Sequence, residues 1–99
     1  GPCTAEAIKL LEDRGITVLP AILCNPGGVS VSYMEWVQNK TGITWDLAKV
    51  NDELCRTITD AARRVRARAQ RHHINYHTAA YVEAIDHIGT CYQQRGIFP

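Results

Sequence analysis

The sequence predicts a mainly α-helical chain, about four helices with one short strand, in one soluble segment. Three observations carry that expectation. Apolar residues recur every three or four positions in four separate stretches, one continuous β-branched run interrupts them, and 45% of the 99 residues are hydrophobic. That share supports a packed core and excludes a disordered or fibrous chain. The formal charge of +1 provides no global field to recruit nucleic acid or an acidic membrane. No apolar run approaches the roughly 20 residues that span a bilayer.

The first helix starts at Thr4, whose hydroxyl suits an N-cap. Ala7, Ile8 and Leu11 follow at helical spacing, and Gly15 falls where a left-handed C-terminal cap belongs. The stretch Ile16 to Leu23, "ITVLPAIL", is continuously apolar and partly β-branched, which predicts a strand buried on both faces. Pro20 removes one ladder donor and places this strand at an edge or ends it early. After the break Asn25-Pro26-Gly27-Gly28, a helix is expected from Val29 to about Lys40, ending near Gly42.

A long helix follows, with Leu47, Val50, Leu54, Ile58, Ala61 and Val65 forming one stripe. Ile74-Asn75 breaks the pattern. The last helix runs from about Tyr76 to Arg95, carries Tyr81, Ile85, Ile88 and Tyr92 on one face, and stops at Gly96; the apolar faces of these last two helices are expected to be core rather than a partner groove. There is no internal repeat or low-complexity linker.

One strand cannot stand alone, because unpaired buried N–H and C=O groups are costly away from water. Its sheet is expected from another copy, another chain, or a preceding part of the same protein. The chain opens on Gly1 rather than Met, which adds the expectation of processing or excision from something longer. No basic-then-apolar secretory pattern is present at this end. Cys3, Cys24, Cys55 and Cys91 form no C-x-x-C pair, and read as reduced, mostly buried thiols of a cytoplasmic or mitochondrial matrix protein.

A run of apolar residues ending in Asn and two glycines before a helix is a place where backbone can approach a ligand, since glycine has no Cβ. In open α/β sheets, ligands bind beyond the carboxyl ends of strands. On local grounds alone, a turn needing positive φ is the first explanation of Gly27-Gly28. The surrounding text is more specific. "GPCTAEA", "VLPAILCNPGGVSVSYMEWVQN" and "HTAAYVEAIDHIGTCYQQRGIFP" together resemble the C-terminal part of the glutamate dehydrogenase family, glutamate type, in order and spacing over essentially the whole chain. The Asn-x-Gly-Gly-Val-x-x-Ser-Tyr-x-Glu-Trp pattern is long and chemically unusual.

The resemblance implies an α/β context, with Ile16 to Leu23 a late strand of a Rossmann-like domain. Residues 1–42 would end the nucleotide-binding domain and carry the cleft loop, and residues 43–99 would form a C-terminal helical region. The implied activity is reversible oxidative deamination of glutamate to 2-oxoglutarate with NAD or NADP. Val29 and Ser32 match the family's substrate contacts, Ser32 offering a hydroxyl to the distal carboxylate, and Asn25 and Gly28 match the part approaching cofactor and substrate. Leucine and phenylalanine dehydrogenases lack the "SYMEW"-type continuation, which favours glutamate; a hydroxyl donor there gives a buried carboxylate a partner.

The family's catalytic lysines and aspartate and its glycine-rich dinucleotide turn lie in parts not matched here. No G-x-G-x-x-G occurs, and Lys9, Lys40 and Lys49 stand in none of the expected contexts, so these residues are not a complete dehydrogenase. The implied partners are the rest of the same enzyme, or another chain supplying a sheet, in a homo-oligomer that is hexameric in the family. Ala21, Pro26 and His77 depart from the family pattern, where aspartate, alanine and arginine are usual. They leave a second reading, a truncated non-catalytic relative serving as a structural or interaction subunit.

Other clusters read more plainly. Arg63, Arg64, Arg66, Arg68 and Arg71, followed by His72 and His73, form a basic block at a helix C-terminus, where the macrodipole favours cations. With no aromatic interleaved for base stacking, a solvated or inter-subunit face is preferred to nucleic-acid binding. The histidines have no cysteine or carboxylate at zinc spacing. Glu83 and Asp86 are expected to be exposed or paired with basic residues rather than to act as an acid/base couple. Tyr33, Met34, Trp36 and Trp45 are expected to be core.

Overall fold

Residues 2–96 are described by the structure, a computed structural model; Gly1 and residues 97–99, the extremes of the two expected segments, lie outside the described part. Four long helices and one single-turn helix follow in order: α1 (Ala5–Asp13), α2 (Ala21–Cys24), α3 (Gly27–Thr41), α4 (Leu47–His72) and α5 (Tyr76–Arg95). The chain is mainly helical, as its periodicity predicts. None of these helices is long and apolar enough to cross a membrane.

The helix ends follow from side-chain chemistry. Thr4 Oγ1 accepts the Ala7 N–H at 3.2 Å, Asp46 Oδ1 accepts that of Lys49 at 2.8 Å, and Asn75 Oδ1 accepts that of Thr78 at 2.7 Å. Each satisfies a first-turn donor that the helix cannot. The Glu6 carboxyl is held below its ordinary value by its own backbone N–H and then by Thr4. A carboxylate so depressed favours the fold above its ordinary range and ceases to do so as pH falls through its lowered value. Gly15 (φ 72°) and Gly42 (φ 69°) turn left-handed after α1 and α3. His73 does the same after α4 at φ 52°, an uncommon conformation for a residue with a Cβ.

The expected strand is corrected. Ile16 to Pro20 forms neither helix nor strand, and among the described residues no strand pairs with it. Its end is helical: the Pro20 carbonyl accepts the Leu23 and Cys24 N–H groups at 2.9 and 3.1 Å and starts α2. Proline cannot donate to a ladder but suits a helix start, so the run ends where its ring fixes φ. The thiols are corrected too. Cys3, Cys24 and Cys55 are exposed and Cys91 half-buried.

The core centres on the seam between α4 and α5, where Val65, Ala69, Ala79 and Ala80 are buried and Leu23, Ile74 and Tyr76 pack against them. Small side chains let the two helices approach closely. Polar contacts then fix their register: Glu83 on α5 accepts from Arg68 Nη2 at 2.9 Å and pairs with Arg64 Nε at 3.2 Å, while Arg68 Nη1 reaches Asp86 at 2.7 Å. Glu83 hydrogen bonding is the first cause of the raised Arg68 guanidinium pKa. The basic block thus spends Arg64 and Arg68 on holding α5. The Tyr81, Ile85, Ile88 and Tyr92 face of α5, read from the sequence as core, points outward at 47–65% exposure.

Replacing Glu83 removes the acceptor shared by two arginines. Glu83→Ala is expected to lower the thermal midpoint of the intact protein by several degrees in circular dichroism. Asp60→Ala, which breaks only the exposed pair with Arg63, is expected to leave it within error.

Candidate functional site

The loop from α2 to α3 is short and well bonded. Asn25 closes α2 with its N–H on the Ala21 carbonyl at 2.9 Å, and Pro26 adopts φ −76° and ψ 0° before its carbonyl accepts the Ser30 N–H at 2.9 Å. The pyrrolidine ring is compatible with that φ, and at this position a helix needs no N–H from it. Pro26 therefore enters without strain.

The glycines do not serve a turn. The left-handed glycines are Gly15, Gly42 and Gly96, whereas Gly27 and Gly28 form the first residues of α3. A Cβ on Gly28 would meet nothing within 4 Å, and one on Gly27 only Leu54 Cδ1 at 4.0 Å. Positive φ, the local explanation offered by the sequence, is overturned. Nothing within these residues requires the missing side chain at Gly28. In addition α3 has no side-chain cap, in contrast to α1, α4 and α5. Its first-turn N–H groups have no side-chain acceptor and Gly28 leaves open space beside them, a chemistry suited to a carboxylate, phosphate or carboxamide.

Helix α3 divides cleanly. Met34 is buried, Ser30, Val37 and Gln38 are half-buried, and this side faces α4. Gln38 fastens the far end: its Oε1 accepts the Trp45 N–H at 2.6 Å and its Nε2 donates to the Met34 carbonyl at 3.3 Å. The other side carries Gly28, Val29, Ser32, Tyr33 and Trp36, all exposed, with Val29 at 67%. Three of the four residues singled out from the sequence thus share one outward face at helical spacing.

Asn25 stands apart from them. It opens onto a concavity of about 500 Å³ with Cys3, Ala21, His77 and Tyr81, the His77 and Tyr81 rings being 5.1 Å apart. Val29 opens onto another, about 450 Å³ and mostly apolar, lined by Tyr33, Met34, Trp45, Glu53 and Thr57. The loop is the link between the two. Tyr33 and Trp36, assigned to the core from sequence, belong instead to the exposed face, where their rings stack at 5.9 Å with an interplanar angle of 23°. Their 29-33-36-40 spacing with Val29 and Lys40 was the available signal. Met34 is core as expected, and Trp45 is half-buried beneath Lys49, whose Nζ lies 4.3 Å from the ring centroid.

Comparison with known proteins gives a consistent result. Residues 1–96 match the glutamate/leucine/phenylalanine/valine dehydrogenase family. The chain is 42% identical over its full length to a glutamate dehydrogenase of Thermotoga maritima, of which it covers 24%. It is 41% identical over 97% of its length to an NADP-specific glutamate dehydrogenase of Synechocystis, covering 22% of that protein. An NAD-specific glutamate dehydrogenase of Halobacterium salinarum is 39% identical over the whole chain. The crystal structure of glutamate dehydrogenase from Peptoniphilus asaccharolyticus superposes with a TM-score of 0.89 at 40% identity, over 99% of this chain and 25% of that one. The chain spans about a quarter of the length of these relatives.

The open space around Gly28 gives a test that needs no ligand. Gly28→Ala is expected to raise stability by about 0.5 kcal/mol, because helix propensity improves and no atom obstructs the methyl group. A loss of stability in chemical denaturation would show that this chain itself needs the glycine.

Proposed function

Since the chain belongs to the glutamate/leucine/phenylalanine/valine dehydrogenase family, we propose that it is the C-terminal portion of an NAD(P)-dependent glutamate dehydrogenase, catalytically incomplete by itself. The reaction is reversible oxidative deamination of glutamate to 2-oxoglutarate. The observation that carries this reading is the outward face of α3, with Gly28, Val29 and Ser32 exposed together beside an uncapped helix start.

In this reading the Ser32 hydroxyl donates to the distal carboxylate of glutamate, and Val29 packs on its methylenes. Gly28 leaves room for close approach along the backbone, and the Asn25 amide faces the cofactor side. The α3 start, with its uncapped donors and no Cβ at Gly28, would fit against NAD or NADP, which would supply the hydride acceptor for the substrate α-carbon. Proton transfer and water activation fall to residues outside this chain. Residues 1–42 complete the nucleotide-binding domain, and residues 43–99 form the helical region behind it. The assembly is a homo-oligomer, hexameric as in the family, in the cytoplasm or mitochondrial matrix.

One observation favours the second reading, a non-catalytic structural relative. Ala21 and His77, both departures from the family pattern, line the same concavity as Asn25. An assay of the complete polypeptide with L-glutamate and NAD⁺ or NADP⁺, followed by reduced-cofactor absorbance, separates the two. If reduction is observed, Ser32→Ala is expected to lower kcat/KM for glutamate roughly ten- to a hundredfold, mainly through KM, since a hydrogen bond to a charged group is lost. No reduction with either cofactor overturns the catalytic reading.

A further inference from the structure

The face that bears Ser32 continues beyond it. Trp36 lies one turn further from the loop, about 6 Å along the axis, and remains 54% exposed. Helical side chains lean back toward the N-terminus, so a residue covers the turn before its own Cα. The indole does so here: it stacks on Tyr33, three residues earlier, at 5.9 Å. From the next turn, Lys40 Nζ lies 5.7 Å from the Trp36 ring centroid and holds the ring from behind. A large flat side chain is thus held between Tyr33 and Lys40, one turn beyond Ser32 on the same exposed face.

We infer that Trp36 is a specificity-determining residue, the end wall that sets the length of acidic side chain the site accepts. The inference rests on the assignment of Ser32 to the distal carboxylate. Running outward from the loop, the face presents Gly28, Val29, Ser32 and then the indole. A substrate whose carboxylate reaches Ser32 fills the space before Trp36. One with an additional methylene must drive its charge against an apolar ring, or buckle. Either loses the hydrogen bond to Ser32, and a charge pressed against an aromatic face is left poorly solvated. Lys40 acts through Trp36 as a positioning residue, its Nζ 5.7 Å from the ring centroid restraining the indole.

The test compares L-glutamate with L-2-aminoadipate, one methylene longer, in the complete polypeptide that includes residues 1–99. Trp36→Ala is expected to raise the aminoadipate-to-glutamate ratio of kcat/KM at least tenfold, the scale on which a single methylene is discriminated, with the change mostly in KM. Lys40→Ala, which loosens the ring without opening the space, is expected to move the ratio in the same direction by a smaller factor. If Trp36→Ala fails to fold, Trp36→Leu provides the same readout with less loss of packing. A ratio unchanged within twofold in a folded variant overturns the inference. The underlying assignment fails separately: if Ser32→Ala leaves glutamate kinetics unchanged, the substrate does not lie on this face at all.

Discussion

Everything in this chain hangs on the close contact of α4 with α5. The residues that make it are small: Ala79 is fully buried, and Ala69, Ala80 and Val65 retain 4–7% exposure. Small side chains bury little area each, so hydrophobic gain alone orients the helices weakly. Arg68, bonded to both Glu83 and Asp86, fixes the register that the alanines permit. Leu23 then packs on the seam, the buried Pro20 starts α2, and Asn75 Nδ2 donates to Glu12 Oε2 at 3.1 Å to draw α1 in. The loop that begins α3 is therefore placed by contacts some distance from it. Its own residues, Asn25 and Gly28, are exposed and could not place it.

The same seam explains what remains uncovered. The radius of gyration is 16.5 Å, against about 13 Å for a compact domain of this length. Leu19, Val29, Leu47 and Ile85 are between 64 and 74% exposed, and the segment from Ile16 to Pro20 has no strand beside it among the described residues. Surface of this kind is expensive in water and cheap in a larger body. The β-branched run, the outward α5 stripe and the aromatic face of α3 are the surfaces on which further protein would bury apolar area.

Much of this was legible in advance, because it depended on neighbours in sequence. Thr4, Gly15, Gly42 and Asn75 act within one turn of themselves, and the helices they bound were readable from periodicity. The strand was not readable, because a strand is defined by a partner and periodicity carries no information about one. The stripes were misassigned for a related reason: spacing shows that Tyr81, Ile85, Ile88 and Tyr92 share a face, but not which side that face takes. On α5 the alanines won the inward side, since only they permit close approach to α4. On α3 both faces are apolar, so Tyr33 and Trp36 could not be separated from Met34 by composition. The site residues were found through a resemblance, while the reason for the glycines was visible only once Gly27 and Gly28 proved to be helical.

That last point gives the proposed binding face a physical basis. A helix start with two glycines and no side-chain cap breaks two local rules at once, each worth on the order of 0.5–1 kcal/mol, in a chain that obeys them at Thr4, Asp46 and Asn75. Local rules fail where a function overrides them. An Ala at Gly28 would obstruct nothing in the chain, and a capping Ser or Asp in place of Pro26 would engage first-turn donors that Pro26 leaves without a side-chain acceptor. In the proposed reading, the substrate extends along the exposed face of α3, past Val29 and Ser32. The helical rise of 1.5 Å per residue converts residue number into distance from the loop. The order of residues on α3 is thus an order of chemistry in space, from backbone donors through an apolar contact to a hydroxyl and finally to a ring.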